Sequence, residues 1–165
     1  FNIDSLVVGR TENPELSRMT IVVNGTEAVL EQVRKQLQKL VPVVKVVDYL
    51  DVAFVERDLV MVQVSTVGPN GPTEKREELI TLANLFRAKV VDVSPEQIMI
   101  EASGTEEKLE AMVKLLEPYG IIELARTGII AMPRGGAVPL ARTRKAGKAA
   151  EGEDAGIDPS DLPPG

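Results

Sequence analysis

The sequence predicts an α+β chain of two tandem βαββαβ modules followed by a disordered tail. Three observations carry this reading. Short β-rich runs alternate with amphipathic helical stripes along most of the chain. The segment Gly25-Thr26-Glu27-Ala28-Val29-Leu30-Glu31 returns as Gly104-Thr105-Glu106-Glu107-Lys108-Leu109-Glu110, each copy after a strand and at the opening of a helix. From about residue 134 the chain loses its large apolar residues and fills with Gly, Ala, Pro and charge, a composition that cannot offset its own ordering entropy.

The elements follow in order. Residues 3–8 and 19–23 read as strands, and Arg10-Thr11-Glu12-Asn13-Pro14 between them has the composition of a turn joining an antiparallel pair. Thr26 is the expected N-cap of a helix. Leu30, Val33, Leu37 and Leu40 form its apolar stripe, and Pro42 is expected to end it. Residues 43–52 read as a further strand.

A longer series then begins with a strand over 59–64 and a loop at Gly68-Pro69-Asn70-Gly71-Pro72. Leu79, Leu82, Ala83 and Phe86 mark a helix face. Strands over 89–93 and 97–102 flank a Ser94-Pro95 turn. Leu109, Met112, Val113 and Leu116 mark another helix, and a last strand over 121–132 is expected to break near Gly128. This is the ferredoxin-like order. The valine-rich strands and leucine stripes are expected to be core.

Comparison of the two copies predicts a gap. Residues 57–88 supply a strand, a loop and a helix ahead of the second hairpin, and the first copy has no such segment before Phe1. The first module is therefore expected to lack its opening strand and helix, or to receive the strand from a partner chain. The expected boundaries are a partial first module at 1–52, a complete one at 53–133 and the tail at 134–165.

Composition excludes several chemistries. The 165 residues include no Cys and no His, which removes disulfides, thiolate or Ser–His nucleophiles and the commonest zinc ligands. Catalysis would have to rest on carboxylates, Lys, Tyr or a bound cofactor; for carboxylates such as Asp92 and Glu101, strand-end charges facing solvent are the simpler account. The net charge of −6 argues against a general nucleic-acid surface. RNA-recognition domains share the βαββαβ order but stack bases on aromatics of the third strand, and residues 19–23 and 97–101 carry none. No apolar run approaches the roughly 20 residues of a membrane span, and no signal peptide is visible. The tail carries a basic cluster, Arg142, Arg144, Lys145 and Lys148, and then an acidic one beginning at Glu151.

Against this background the chain resembles the small, regulatory subunit of acetolactate synthase. The resemblance rests on Asn2-Ile3-Asp4-Ser5-Leu6-Val7-Val8-Gly9, Ser17-Arg18-Met19-Thr20-Ile21-Val22, Lys35-Gln36-Leu37-Gln38-Lys39-Leu40 and Val43-Val44-Lys45-Val46. It continues through Glu56-Arg57-Asp58-Leu59, Phe86-Arg87-Ala88-Lys89-Val90-Val91-Asp92-Val93, Ser103-Gly104 and Gly120-Ile121-Ile122-Glu123-Leu124-Ala125-Arg126-Thr127-Gly128. The segments run in the family's order to about residue 135.

The resemblance implies an ACT domain followed by a C-terminal ferredoxin-like domain. It implies a non-catalytic chain that forms a homodimer through its ACT domains and binds valine or another branched-chain amino acid between them. The partner is the large catalytic subunit, which holds thiamine diphosphate, FAD and Mg; this chain binds no cofactor and no metal. Together the two subunits would open branched-chain amino-acid synthesis under feedback control. The resemblance also implies effector-binding roles for Asn2 and Ile3, whose alternative is turn chemistry ahead of a strand. Arg18, Arg57, Arg87 and Arg126 lie in matching segments without an assigned role. A cytoplasmic location is expected, or a plastid for a plant or algal source, with no nucleic-acid or membrane partner.

Overall fold

The computed structural model of the protein describes residues 2–136 and 141–143. The chain divides into two compact units, Phe1–Val55 with Ala131–Gly165, and Glu56–Ile130.

In the first unit, β1 (Asn2–Arg10) and β2 (Ser17–Asn24) form an antiparallel ribbon, as the turn composition predicts. The Thr11 hydroxyl donates to the Leu16 carbonyl at 2.9 Å and Asn13 Oδ1 accepts the Glu15 N–H at 3.0 Å, which closes the turn. The pairing slips by one residue between Ile3 and Ser5, so Asp4 is a bulge. Helix α1 (Glu27–Gln38) starts where expected: Thr26 Oγ1 accepts the Val29 N–H at 3.4 Å.

The helix ends earlier than the stripe suggested. Pro42 disfavours helical backbone at Val41, and the chain tightens before it through i→i+3 bonds at Lys39 and Leu40. Leu40 therefore lies beyond the helix and is exposed. Val33 is buried, but Ile3, Leu6, Val8 and Met19 are about half exposed or more. A two-stranded ribbon buries little by itself.

The strand expected over 43–52 is only Lys45–Val47, β3. A strand persists only where it has a ladder partner. Here the partner is β9 (Ala141–Thr143), three residues long, in the register Lys45↔Thr143 and Val47↔Ala141. Beyond β3 the backbone turns, with the Val52 N–H donating to Tyr49 O at 3.4 Å. Residues 141–143 fall inside the stretch expected to be a disordered tail; they are a strand. Phe1, residues 137–140 and residues 144–165 lie outside the described residues, and with them the rest of the tail and its charge clusters.

The second unit has the predicted βαββαβ order. It comprises β4 (Phe54–Ser65, whose first two residues belong to the first unit), α2 (Arg76–Leu85), β5 (Lys89–Ser94), β6 (Gln97–Gly104), α3 (Glu106–Leu116), a 3₁₀ turn (Glu117–Tyr119) and β7 (Ile121–Arg126). The sheet order is β5-β6-β4-β7 with antiparallel neighbours, the ferredoxin-like topology. The last expected strand breaks at Thr127–Ile129, and β8 (Ile130–Pro133) also pairs with β4. Gly128 makes the break with φ +94°.

Period-two burial along β4 and β6 builds the core. Val60, Val62 and Val64 line up with Ile98, Ile100 and Ala102 on one face, against Leu79 and Ala83 of α2 and Leu109, Met112 and Leu116 of α3. Thr105 Oγ1 accepts the Lys108 N–H at 3.3 Å, the same cap that Thr26 makes. The two echoed sequence segments thus perform the same local task. Helix α2 ends in a Schellman motif: the Ala88 N–H donates to Ala83 O at 2.8 Å and the Arg87 N–H to Asn84 O at 3.1 Å.

Candidate functional site

Asn2 and Ile3 open β1, and the register sets them opposite Asn24 and Val23. Asn2 is thus the cross-strand neighbour of the residue that leads through Gly25 and Thr26 into α1. Gly25 is needed there, because an added Cβ would sit 2.9 Å from the Val29 Cβ. Two amides side by side offer both donors and acceptors, and the Thr26-capped start of α1 follows them in the chain. Ile3 is 49% exposed and presents apolar surface beside them. This corner places amide donors and acceptors beside exposed apolar surface.

The arginines of the matching segments do different things. Arg18 of β2 donates through Nη2 to Tyr49 Oη at 3.1 Å and to the Ala131 carbonyl, tying the ribbon to two residues far along the chain. The Tyr49 ring stacks on Phe54 with centroids 5.5 Å apart. Burial pushes the Tyr49 hydroxyl above its ordinary value, against the pull of the Arg18 charge. Arg57 donates to the neighbouring Glu56 carbonyl at 2.6 Å. Arg87 occupies the left-handed position of the Schellman motif with φ +54°. Arg126 pairs with buried Asp58.

The Asp58 site was not legible as a site in the sequence. Asp58 lies within Glu56-Arg57-Asp58-Leu59, but its partners stand 68 to 70 residues later. Asp92 and Glu101 prove not to be strand-end charges. Asp92 lies within β5 opposite Met99, and Glu101 lies within β6 opposite both Met61 and Lys89. Among the described residues no group of three or more Asp or Glu is arranged to hold a metal ion. Among them, too, no helix is long and apolar enough to cross a membrane.

Comparison with known proteins places this arrangement in a family. Residues 1–45 match the family model described as the AHAS small subunit-like ACT domain, and residues 57–135 match the small subunit of acetolactate synthase. A probable acetolactate synthase small subunit of Archaeoglobus fulgidus is 50% identical over 135 residues, covering 82% of this chain and 81% of that protein. The acetolactate synthase small subunit of Mycolicibacterium smegmatis is 49% identical over 135 residues, covering 82% of this chain and 76% of its own. The crystal structure of the acetolactate synthase small subunit of Thermotoga maritima superposes with a TM-score of 0.72 at 43% identity, over 81% of each chain. The chain belongs to the acetolactate synthase small-subunit family, a family of regulatory subunits built on an ACT domain.

Proposed function

We propose that this chain binds the large catalytic subunit of an acetolactate synthase, raises its activity and makes it sensitive to feedback inhibition by valine or a related branched-chain amino acid. The observation that carries this reading is the pair of consecutive family matches, over residues 1–45 and 57–135. In this reading the cytoplasm is its compartment and the ACT domains of two chains pair. The effector sits between them, with Asn2 receiving its charged groups and Ile3 its side chain. Thiamine diphosphate, FAD and Mg belong to the catalytic partner, where pyruvate is decarboxylated and its two-carbon unit transferred to a second 2-keto acid.

The effector acts by binding one arrangement of the assembly more tightly than another. A coupling of about 1–3 kcal/mol changes activity by several-fold to a hundredfold. The test mixes the full-length protein with the catalytic subunit of the same organism and follows acetolactate formed from pyruvate, with and without valine. Turnover rises on mixing, and valine then lowers it. Unchanged turnover and unchanged valine sensitivity would overturn the proposal. Asn2→Ala is expected to weaken inhibition while leaving activation in place.

A further inference from the structure

Asparagine followed by glycine occurs twice in the chain, at Asn24-Gly25 and at Asn70-Gly71. Such a pair can rearrange without an enzyme. The glycine backbone nitrogen attacks Cγ of the asparagine side chain. A five-membered succinimide forms, the bond from Cγ to Nδ2 breaks, and the glycine N–H proton leaves with that nitrogen as ammonia. Water then opens the ring at either carbonyl and gives aspartate or isoaspartate. No oxidant, reductant or cofactor enters. Glycine favours the step because it has no side chain to crowd the ring.

Both asparagines are exposed, so exposure does not separate them. Their bonds do. The Asn70 amide donates to Glu74 Oε1 at 3.0 Å and the Asn70 backbone N–H to Oε2 at 2.9 Å. The nucleophile of that pair, the Gly71 nitrogen, donates to Gly68 O at 3.2 Å. Ring closure there must break the bond of the leaving group and the bond of the nucleophile, beside a carboxylate that opposes loss of the Gly71 proton. Asn24 has neither restraint. Among the described residues nothing bonds its side chain or the Gly25 N–H. Asn24 is the last residue of β2, and the ladder does not reach Gly25. The turn into α1 cannot dispense with that glycine, since an added Cβ would lie 2.9 Å from the Val29 Cβ. The residue that the turn requires is the one that leaves Asn24 open to attack.

We propose that Asn24 is a site of spontaneous modification, converted to aspartate or isoaspartate in the folded protein while Asn70 is spared. Conversion replaces a neutral amide with a carboxylate directly across the ladder from Asn2. Isoaspartate also lengthens the main chain by one atom between β2 and the Thr26 cap. The regulatory consequence rests on the effector role proposed for Asn2: a carboxylate beside it repels the carboxylate of an amino acid. The protein then loses valine sensitivity as it ages.

The test incubates the full-length protein at neutral and at mildly alkaline pH. Samples taken over days are digested, and the Asn24 and Asn70 peptides are followed by mass spectrometry. The Asn24 peptide is expected to convert at least several-fold faster than the Asn70 peptide. It should convert faster still at the higher pH, because the Gly25 nitrogen attacks after losing its proton. Glu74→Ala, which frees Asn70, should speed conversion at Asn70 several-fold and leave Asn24 as it was. Asn24→Gln, whose larger ring closes far more slowly, should remove the reaction at position 24. Circular dichroism of each variant checks that it is folded. An Asn24 peptide that stays intact overturns the proposal, and so does an Asn70 peptide that keeps pace with it in the unaltered chain. The consequence is read separately, from valine inhibition of the reconstituted enzyme, which Asn24→Asp should weaken several-fold. Conversion at Asn24 together with normal inhibition of the Asn24→Asp enzyme supports the modification site and counts against the effector role of Asn2 alone.

Discussion

Asp58, 3% exposed near the start of β4, accepts Nε and Nη2 of Arg126 on a single oxygen, Oδ2, at 3.1 and 2.6 Å. Its other oxygen lies 3.3 Å from the Thr127 hydroxyl and accepts the Gly128 N–H at 3.2 Å. Thr127 in turn exchanges bonds with Leu59, its N–H donating to Leu59 O at 3.0 Å and its Oγ1 accepting the Leu59 N–H at 3.1 Å. One carboxylate thus fixes the corner at which β7 gives way to β8. Asp58→Ala removes the common acceptor and is expected to cost about 3 kcal/mol of stability. Thr127→Val, which spares the ion pair, is expected to cost about 1 kcal/mol. Urea unfolding of the two variants checks the ranking; equal costs would contradict the central place given to Asp58.

Arg87 holds a left-handed conformation that glycine adopts without penalty. Arg87→Gly is expected to stabilise the protein by about 1 kcal/mol, because the side chain is exposed and the strain disappears. Thermal unfolding should show a higher midpoint for the variant. A lower one would mean that the guanidinium makes a contribution larger than the strain.

The loop between β4 and α2 depends on an ionised Glu74. Its carboxylate accepts the Asn70 backbone N–H at 2.9 Å and the Asn70 amide at 3.0 Å. Gly68 lacks the Cβ that would run into that carboxylate. The Asn70 backbone bond is the main reason the Glu74 carboxyl lies below its ordinary value; the Asn70 amide and Lys75 assist, and partial desolvation opposes. A depressed carboxyl stabilises the fold above the unfolded-state value, and the contribution disappears as pH falls through the lower folded-state value. The Asn70 amide resonance should therefore move in an acid titration with a midpoint below that of a free glutamate. Glu74→Gln should abolish that step.

Tyr119 donates to Glu78 Oε1 at 2.5 Å, linking the 3₁₀ turn to α2. This bond to the carboxylate, with lesser help from desolvation and the Glu78 charge, raises the tyrosine above its ordinary value. The link holds below the unfolded-state value and is lost as pH rises through the higher folded-state one. Because burial also raises Tyr49, an ultraviolet titration should find both tyrosines ionising late, and Glu78→Gln should bring Tyr119 alone back toward normal.

Thr26 and Thr105 carry out the same cap at the echoed segments. Alanine at either position is expected to cost about 1 kcal/mol. Measured by chemical denaturation, the losses should add in the double variant, since the two caps open different helices of different units.

Much of the second unit was legible in the residues because its elements are specified locally. Alternation along β4 and β6, the stripes of α2 and α3 and the turn at Ser94-Pro95 each encode their own geometry over a few residues. The chain's weaker readings fell where local pattern is not enough. The run over residues 43–52 is rich in valine, yet only Lys45–Val47 is strand, and its partner among the described residues, Ala141–Thr143, lies about a hundred residues further along the chain. Leu40 keeps helical spacing but follows the point where Pro42 makes the backbone tighten. Asn2 and Ile3 were singled out by resemblance, and the register with Asn24 and Val23 adds a polar neighbour that spacing alone does not supply.

By itself the sequence settled the fold class, the repeat of the capped helix and the family, since these follow from periodicity, cap chemistry and ordered local segments. Only the tertiary structure decided which distant residues meet. Asp58 and Arg126 stand 68 residues apart in the chain and become one network because β4 and β7 are neighbours in the sheet. Lys89 and Asp92 stand three apart in the chain and share one face of the sheet because a bulge resets the pleat between them. Pairing across strands is a property of the ladder, and no window along the chain contains it.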